Sequence, residues 1–312
     1  MNPVPLPAPR ISLCKLSSFP HLPIELQDEI FQFAAARDID HEMTTTLMLV
    51  SKWVSYRIQR VLYEIVVVFD NGKVRRCYPP HIEERSKDII KFFKRYGRHI
   101  RCLGLDPRAV HGLGEQGIVT ALQQCPSLKD LIIRQPCSDQ LLKGAQEHLP
   151  HLVRLSGHFE EPQTHLDATQ PMYQKLTHLD IHGHEYLWDD LLEFVIQIPN
   201  LTHLAVDDMD KQHEIVLGAL KGCKKLEAVL LVTLSKGVAA CLNEDSEDEP
   251  NDDQYERVVA VKIKPYDNWL NGVRRGLDMW ELADQVIMGR RKKREGRRDT
   301  NDEDRSETSP PS

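Results

Sequence analysis

The chain has 312 residues, 41% hydrophobic and 28% charged, with a net charge of −7. That mild acidity gives no whole-chain footprint for nucleic acid. The longest apolar run, "IVVVF" from Ile65 to Phe69, is far shorter than a membrane span. Seven scattered cysteines without a C-x-x-C pair fit reduced thiols of the cytosol or nucleus.

The chain starts "MNPVPLPAPR", with no charged stretch ahead of an apolar core. Residues 1–17 read as a disordered start rather than a signal peptide. "FPHLPIELQDEIFQFA", Phe19 to Ala34, reads as a helix, with Pro23 and Glu25 suited to its first turn. At 100° per residue Leu22, Leu26, Ile30 and Phe33 share one face, while Ile24 and Phe31 fall nearly opposite. A surface helix needs only one apolar stripe, so one set is expected to meet a partner. After the polar break "RDIDHE", a second helix fits "TTTLMLVSKWVSYRIQRVLYE", capped by a threonine at 44 to 46. Leu47, Val50, Val54, Ile58 and Val61 would form its stripe. Residues 18–62 thus make a small helical unit.

A repeat organises the middle of the chain. "PSLKDLII", "PHLVRLSG", "QKLTHLDI", "PNLTHLAV" and "KKLEAVLL" each carry apolar-x-x-apolar-x-apolar, with Gly157 in the last place of the second. Their middle residues, Leu131, Leu155, Leu179, Leu204 and Val229, are 24 or 25 positions apart. Upstream, Ile100, Leu103 and Leu105 fit the triad, as do Leu62, Ile65 and Val67. Helical patterns fill most gaps; in "SKDIIKFFKRYG" Ser86 would cap the start and Gly97 the end. No such pattern lies between Gly157 and Met172.

These triads resemble the leucine-rich-repeat family over roughly residues 63–242. The implied fold class is α/β, a curved solenoid with a parallel sheet on the concave face and helices on the convex face. With the triads inward, the alternate strand residues would face solvent. The expected recognition surface is Arg134, Arg154, His158, His178, Asp180, His182, His203 and Asp207, with His178 and His203 stacked. A metal site there ranks below a protein-recognition patch, and both rank below plain solvated surface; no metal or other cofactor is expected. Leu230 and Val232 make one end of the face apolar, open to cover by the C-terminal segment.

"NEDSEDEPNDD" holds seven acids and no base, so residues 243–254 read as a disordered loop. "RVVAVKI" reads as one more strand, and "DNWLNGVRRGLDMWELADQVIM", with Trp269 and Trp280, as a helical cap, so that residues 255–288 close the solenoid. Residues 289–312 read as a disordered charged tail. Arg290, Arg291, Lys292, Lys293 and Arg294 form a nuclear-signal candidate. Phosphate-binding loops, G-x-S-x-G and H-E-x-x-H are missing, which points away from an enzyme.

"LPIELQDEIF" followed by "LMLVSKWVSYRIQRVLYEIVVV" resembles an F-box of the fungal type, set directly ahead of the repeats. The resemblance implies a non-catalytic substrate receptor of a Skp–cullin–F-box ubiquitin ligase. Adaptor binding would fall to Leu22, Pro23, Ile24, Leu26, Ile30, Phe31, Leu49 and Val50. The implied partners are a Skp-type adaptor, through it a cullin, and a protein substrate. No membrane is involved, the chain is a monomer apart from the ligase, and its location is cytoplasmic, nuclear or both. The alternative is a repeat scaffold unconnected with ubiquitin; a nucleic-acid-associated protein using the basic tail ranks last.

Overall fold

Periodic apolar positions and capping residues divide the chain into short helices and strands. The computed structural model describes residues 22–37, 42–70, 75–78, 89–105, 114–136, 139–159, 166–183, 188–207, 212–233 and 255–306. The expected disordered stretches 1–17 and 243–254 lie outside the described residues, as does Ser86. The chain forms two compact units, residues 1–58 and 59–312.

In the first unit α1 spans Ile24–Arg37 and α2 spans Glu42–Met48, and α3 (Lys52–Leu62) begins there and ends in the second. The sequence pattern suggested two helices. The break comes at Leu49 to Ser51, where the Val54 amide donates to Ser51 Oγ at 3.1 Å. A serine hydroxyl that satisfies the amide three residues on starts a new helix, so Ser51 rather than a threonine is the cap. Val50 therefore leaves the expected stripe and is 63% exposed, whereas Val54 and Ile58 are buried. Phe31 turns toward Trp53, their rings 6.2 Å apart and edge-on, and Arg57 reaches Asp28 at 3.4 Å.

In the second unit the strands are β1 (Ile65–Asp70), β2 (Arg75–Tyr78), β3 (Cys102–Leu105), β4 (Asp130–Pro136), β5 (Arg154–Phe159), β6 (His178–Gly183), β7 (His203–Asp207), β8 (Ala228–Thr233) and β9 (Val258–Lys262). They form one sheet in the order β2-β1-β3-β4-β5-β6-β7-β8-β9. The pairing is parallel throughout except between β1 and β2, where an unforeseen short strand adds an antiparallel edge. Helices α4 (Ile89–Tyr96), α5 (Gly114–Gln123), α6 (Asp139–Gln146), α7 (Trp188–Gln197) and α8 (Gln212–Gly222) link most successive strands from β2 to β8, a 3-10 turn at Pro171–Tyr173 standing between β5 and β6. This is a leucine-rich-repeat-like solenoid, because each strand-and-helix unit buries its apolar side only against its neighbours.

The triads align in register: Leu131 pairs with Leu155, Leu155 with Leu179, Leu179 with Leu204, and Leu204 with Val229. All of these are buried in one core with residues of α4 to α8. At each repeat the first two strand amides converge on one carbonyl of the preceding repeat. The amides of Thr202 and His203 both reach Thr177 O at 2.9 Å, and those of Glu227 and Ala228 reach Thr202 O. One triad is displaced. Val66 pairs with Leu103 and Val68 with Leu105, so Val66 and Val68 join the main core, while Val67 is buried outside that cluster and Ile65 is half-buried. An unbroken apolar run carries no alternation, so its register is set by the neighbouring strand.

Gly97 follows the last residue of α4, where the sequence places the helix end. It opens a 3-10 turn, Gly97–His99. Its position is fixed by close approach: a Cβ there would fall well inside van der Waals contact distance of the Gln124 carbonyl in the next repeat. Gly97→Ala is expected to lower stability by about 2 kcal/mol through this overlap, measured by urea unfolding. A loss below about 0.5 kcal/mol would show that the turn yields without cost.

The C-terminal region departs most from expectation. After β9 come α9 (Pro265–Arg275) and α10 (Met279–Ser306). They do not simply cap the last repeat; they lie across the concave face, α9 reaching β4 and α10 reaching β8 and β9. Residues 289–306, expected as disordered tail, continue α10. Within it Arg290 donates to the carbonyls of Glu256 and Val258, at 3.2 and 2.6 Å, and Arg294 to the Glu256 carboxylate at 3.0 Å. A run of bases can stay helical when partners neutralise some of its charge. Residues 307–312 lie outside the described residues.

Candidate functional site

The strand residues expected to face solvent do share the concave face, but they are largely covered. Asp130, Ser156, Asp180 and His203 are buried, and Ala205, Ala228, Leu230 and Val232 join a second apolar cluster with Met279, Trp280, Ala283 and Ile287. The apolar end of the face is thus covered by the C-terminal segment. An open surface at Arg154, His178, Asp180 and His203 is corrected: these side chains contact the terminal helices or one another. The physical cause is a sheet apolar on both faces at β8 and β9, which must bury the second face as well.

Each polar residue has a definite partner. Arg154 donates to Asp278 Oδ2 at 2.7 Å. His178 and His203 stack with ring centroids 4.3 Å apart and planes 6° from parallel. Trp280 stands edge-on to both, at 5.1 and 5.9 Å. His203 Nε2 lies 3.0 Å from Asp284 Oδ1, and each histidine Nδ1 meets the hydroxyl of the threonine before it. Burial, the neighbouring His203 and Arg154 pull the His178 pKa down to about 3, so this ring is neutral at pH 7.

His182 behaves oppositely on the same strand. Its Nδ1 lies 2.8 Å from Asp207 and its Nε2 3.0 Å from Asp180. Burial alone lowers its pKa, but Asp180 and Asp207 outweigh burial and raise it to about 11. Ser156 Oγ also donates to Asp180, at 2.7 Å. Next to them Asp130 accepts Trp269 Nε1 at 2.7 Å, and burial raises its pKa to about 6, against the Trp269 bond and Arg154. His158 is half-buried and pairs in register with His182; the Arg134 side chain lies outside the described residues.

The pH dependence follows from these directions. The folded state holds the His182 proton up to about pH 11 while the unfolded chain releases it near 6.5. That contribution is complete below 6.5 and is lost as pH rises. The slope can reach about 1.4 kcal/mol per pH unit. Between pH 7 and 10 the wild type is expected to lose clearly more unfolding free energy than His182→Asn; parallel curves would refute the charged clamp. On the acid side His178 loses stability below pH 6.5 while Asp130 gains it below about 6, so the two partly offset.

Among the described residues no group of three histidine, cysteine or acidic side chains is arranged to hold a metal ion. Both nitrogens of His182 face carboxylates, and the stacked His178 and His203 rings do not converge on one point. Among the described residues no helix is long and apolar enough to cross a membrane.

The apolar residues marked for adaptor binding fall in the first unit. Leu22, Ile24, Leu26, Ile30, Leu49 and Val50 are 45% to 86% exposed, and Pro23 is exposed, while Phe31 is half-buried toward Trp53. Phe31 is turned inward, while Ile24 of the same face stays exposed along with Leu22, Leu26 and Ile30, so both apolar faces of the segment are largely open.

The basic run lies on α10, with Arg290 and Arg294 engaged at Glu256 and Val258 and Arg291 3.7 Å from Glu256. The part of Asp278, Trp269, Trp280 and Asp284 in the concave face was not foreseen. The one available signal was the apolar Ala228, Leu230 and Val232 on a face assigned to solvent.

No protein-family model matches the chain, and no curated protein matches it. Among solved structures the chain is similar to the leucine-rich repeat-containing protein LegL7 from Legionella pneumophila. The identity is 13%, over 75% of this chain and 80% of that one, with a TM-score of 0.41. The repeat architecture itself is read from the strand order and the 24- to 25-residue period.

Proposed function

We propose that the chain is the substrate-recognition subunit of a Skp–cullin–F-box ubiquitin ligase. The coarser reading is a protein-interaction scaffold, which the leucine-rich-repeat-like fold suggests. The observation that carries the finer one is the apolar surface of the first unit. Leu22, Ile24, Leu26, Ile30, Leu49 and Val50 are each exposed on a short helical unit, at the positions where the sequence resembles an F-box. Exposed apolar patches of this kind mark protein-protein contacts. The adaptor would cover that patch and the repeat unit would hold the target; ubiquitin transfer would belong to other subunits.

The test is purification of the full chain after co-expression with a Skp-type adaptor. A stoichiometric complex supports the receptor. No complex, under conditions where an established F-box protein forms one, leaves only the scaffold.

A further inference from the structure

The two terminal helices hold the concave face in different ways. The first half of α10 is anchored by Met279, Trp280, Ala283 and Ile287, all 7% exposed or less, in the apolar cluster over β7 to β9. Among the described side chains of α9 none is buried apart from Gly272. Its main anchor is Trp269, which donates to Asp130 and lies over Gly104, where a Cβ would come within 3.1 Å of the ring. An element with so little buried apolar area opens at low free energy.

Under α9 the floor is polar. Asp130, Arg154, Ser156, His178 and Asp180 line a cavity of about 20 Å³, closed from above by Asn268, Trp269 and Asp278. Asp180 is 3% exposed, and its Oδ2 takes the bonds from Ser156 and His182. Its Oδ1 has no hydrogen-bond partner among the described residues. A buried carboxylate oxygen left so is costly, and a donor from a ligand would relieve it. Arg154 is already engaged by Asp278, so the floor offers acceptors in excess of donors.

We propose that this groove is a binding site for a basic peptide carrying an aromatic hydrogen-bond donor, and that α9 is its internal, displaceable occupant. The chemistry is read from the occupant. Residues 264–276, "KPYDNWLNGVRRG", carry three basic residues against one acid and place an indole N–H on Asp130. A target with a tryptophan or tyrosine near basic residues can replace the indole and supply the donor that Asp180 lacks. It competes with a tethered segment whose effective concentration is ~1 mM, so only a well-matched target displaces it. This deepens the receptor reading by naming its substrate class, and it uses no residue of the adaptor surface.

The test uses the full chain and a labelled peptide of residues 264–276. Trp269→Ala is expected to bind the peptide at least ~10-fold more tightly than the wild type, whose groove is filled. Adding Asp130→Ala should abolish that gain. Equal binding by wild type and Trp269→Ala overturns the proposal, as does a gain that survives loss of Asp130. Hydrogen exchange on the wild type guards against misfolding of the variant. The α9 amides should exchange at least ~10-fold faster than those of residues 282–287, and equal protection refutes the displaceable occupant. Adaptor binding, read on the same variants, should be unchanged, so failure at the groove is separable from failure of the ligase reading.

Discussion

Trp280→Ala is expected to lower the stability of the repeat unit by about 3–5 kcal/mol, the range for deleting a buried aromatic. Trp280 is 7% exposed and stands edge-on to both stacked histidines, within the cluster that covers β7 to β9. Its removal opens a cavity bordered by Leu230 and Val232 on one side and the His178–His203 pair on the other. A phenylalanine retains part of the edge contact, so Trp280→Phe should lose about half as much. Urea unfolding of the full chain measures both. A loss under about 1 kcal/mol for alanine would mean that α10 contributes little to the fold and that the concave face is in effect open.

The second large effect concerns the first unit. Leu26→Asp with Ile30→Asp is expected to reduce Skp-adaptor binding at least ~100-fold, because two charges would be desolvated at the centre of an apolar contact. Both residues are about half exposed, 45% and 53%, so the free protein should lose less than ~0.5 kcal/mol of stability. Phe31→Asp is the contrasting case. Phe31 packs toward Trp53, so its replacement should unfold the small unit as well as abolish binding. If Leu26→Asp with Ile30→Asp unfolds the chain, the stripe is structural and the adaptor reading falls. If the variant stays folded and still binds, the contact lies elsewhere.

The sequence by itself determined the repeat. Five apolar triads at a near-constant spacing can be satisfied only by stacking parallel strands, and the observed register joins each middle residue to the next. It also foretold the stack of His178 on His203, since equivalent positions of adjacent strands lie side by side. The two apolar sets on α1 were legible, but that Phe31 alone would turn inward, onto Trp53, while Ile24 of the same set stays exposed, was decided by packing. Local ambiguity explains the smaller departures. The run at Ile65 to Val68 has no alternation, so β3 set its register. The helix break at Ser51 depends on one hydroxyl bond that competes with an unbroken apolar stripe.

How far the concave face is covered, beyond its apolar end, was decided by tertiary structure. Alternation along a strand states which residues leave the first core, not whether a second layer covers them. That depended on the C-terminal segment folding back over 124 residues from Asp278 to Arg154 and 139 from Trp269 to Asp130, and on the apolar cluster around Trp280. Such long-range closure is driven by apolar area at Leu230, Val232, Val259 and Val261; Leu230 and Val232 already pointed to the C-terminal segment as a cover, but its reach to Asp130 and Arg154 was not legible. Periodicity therefore fixed the solenoid, and burial of its second apolar face turned an expected open surface into an occupied groove.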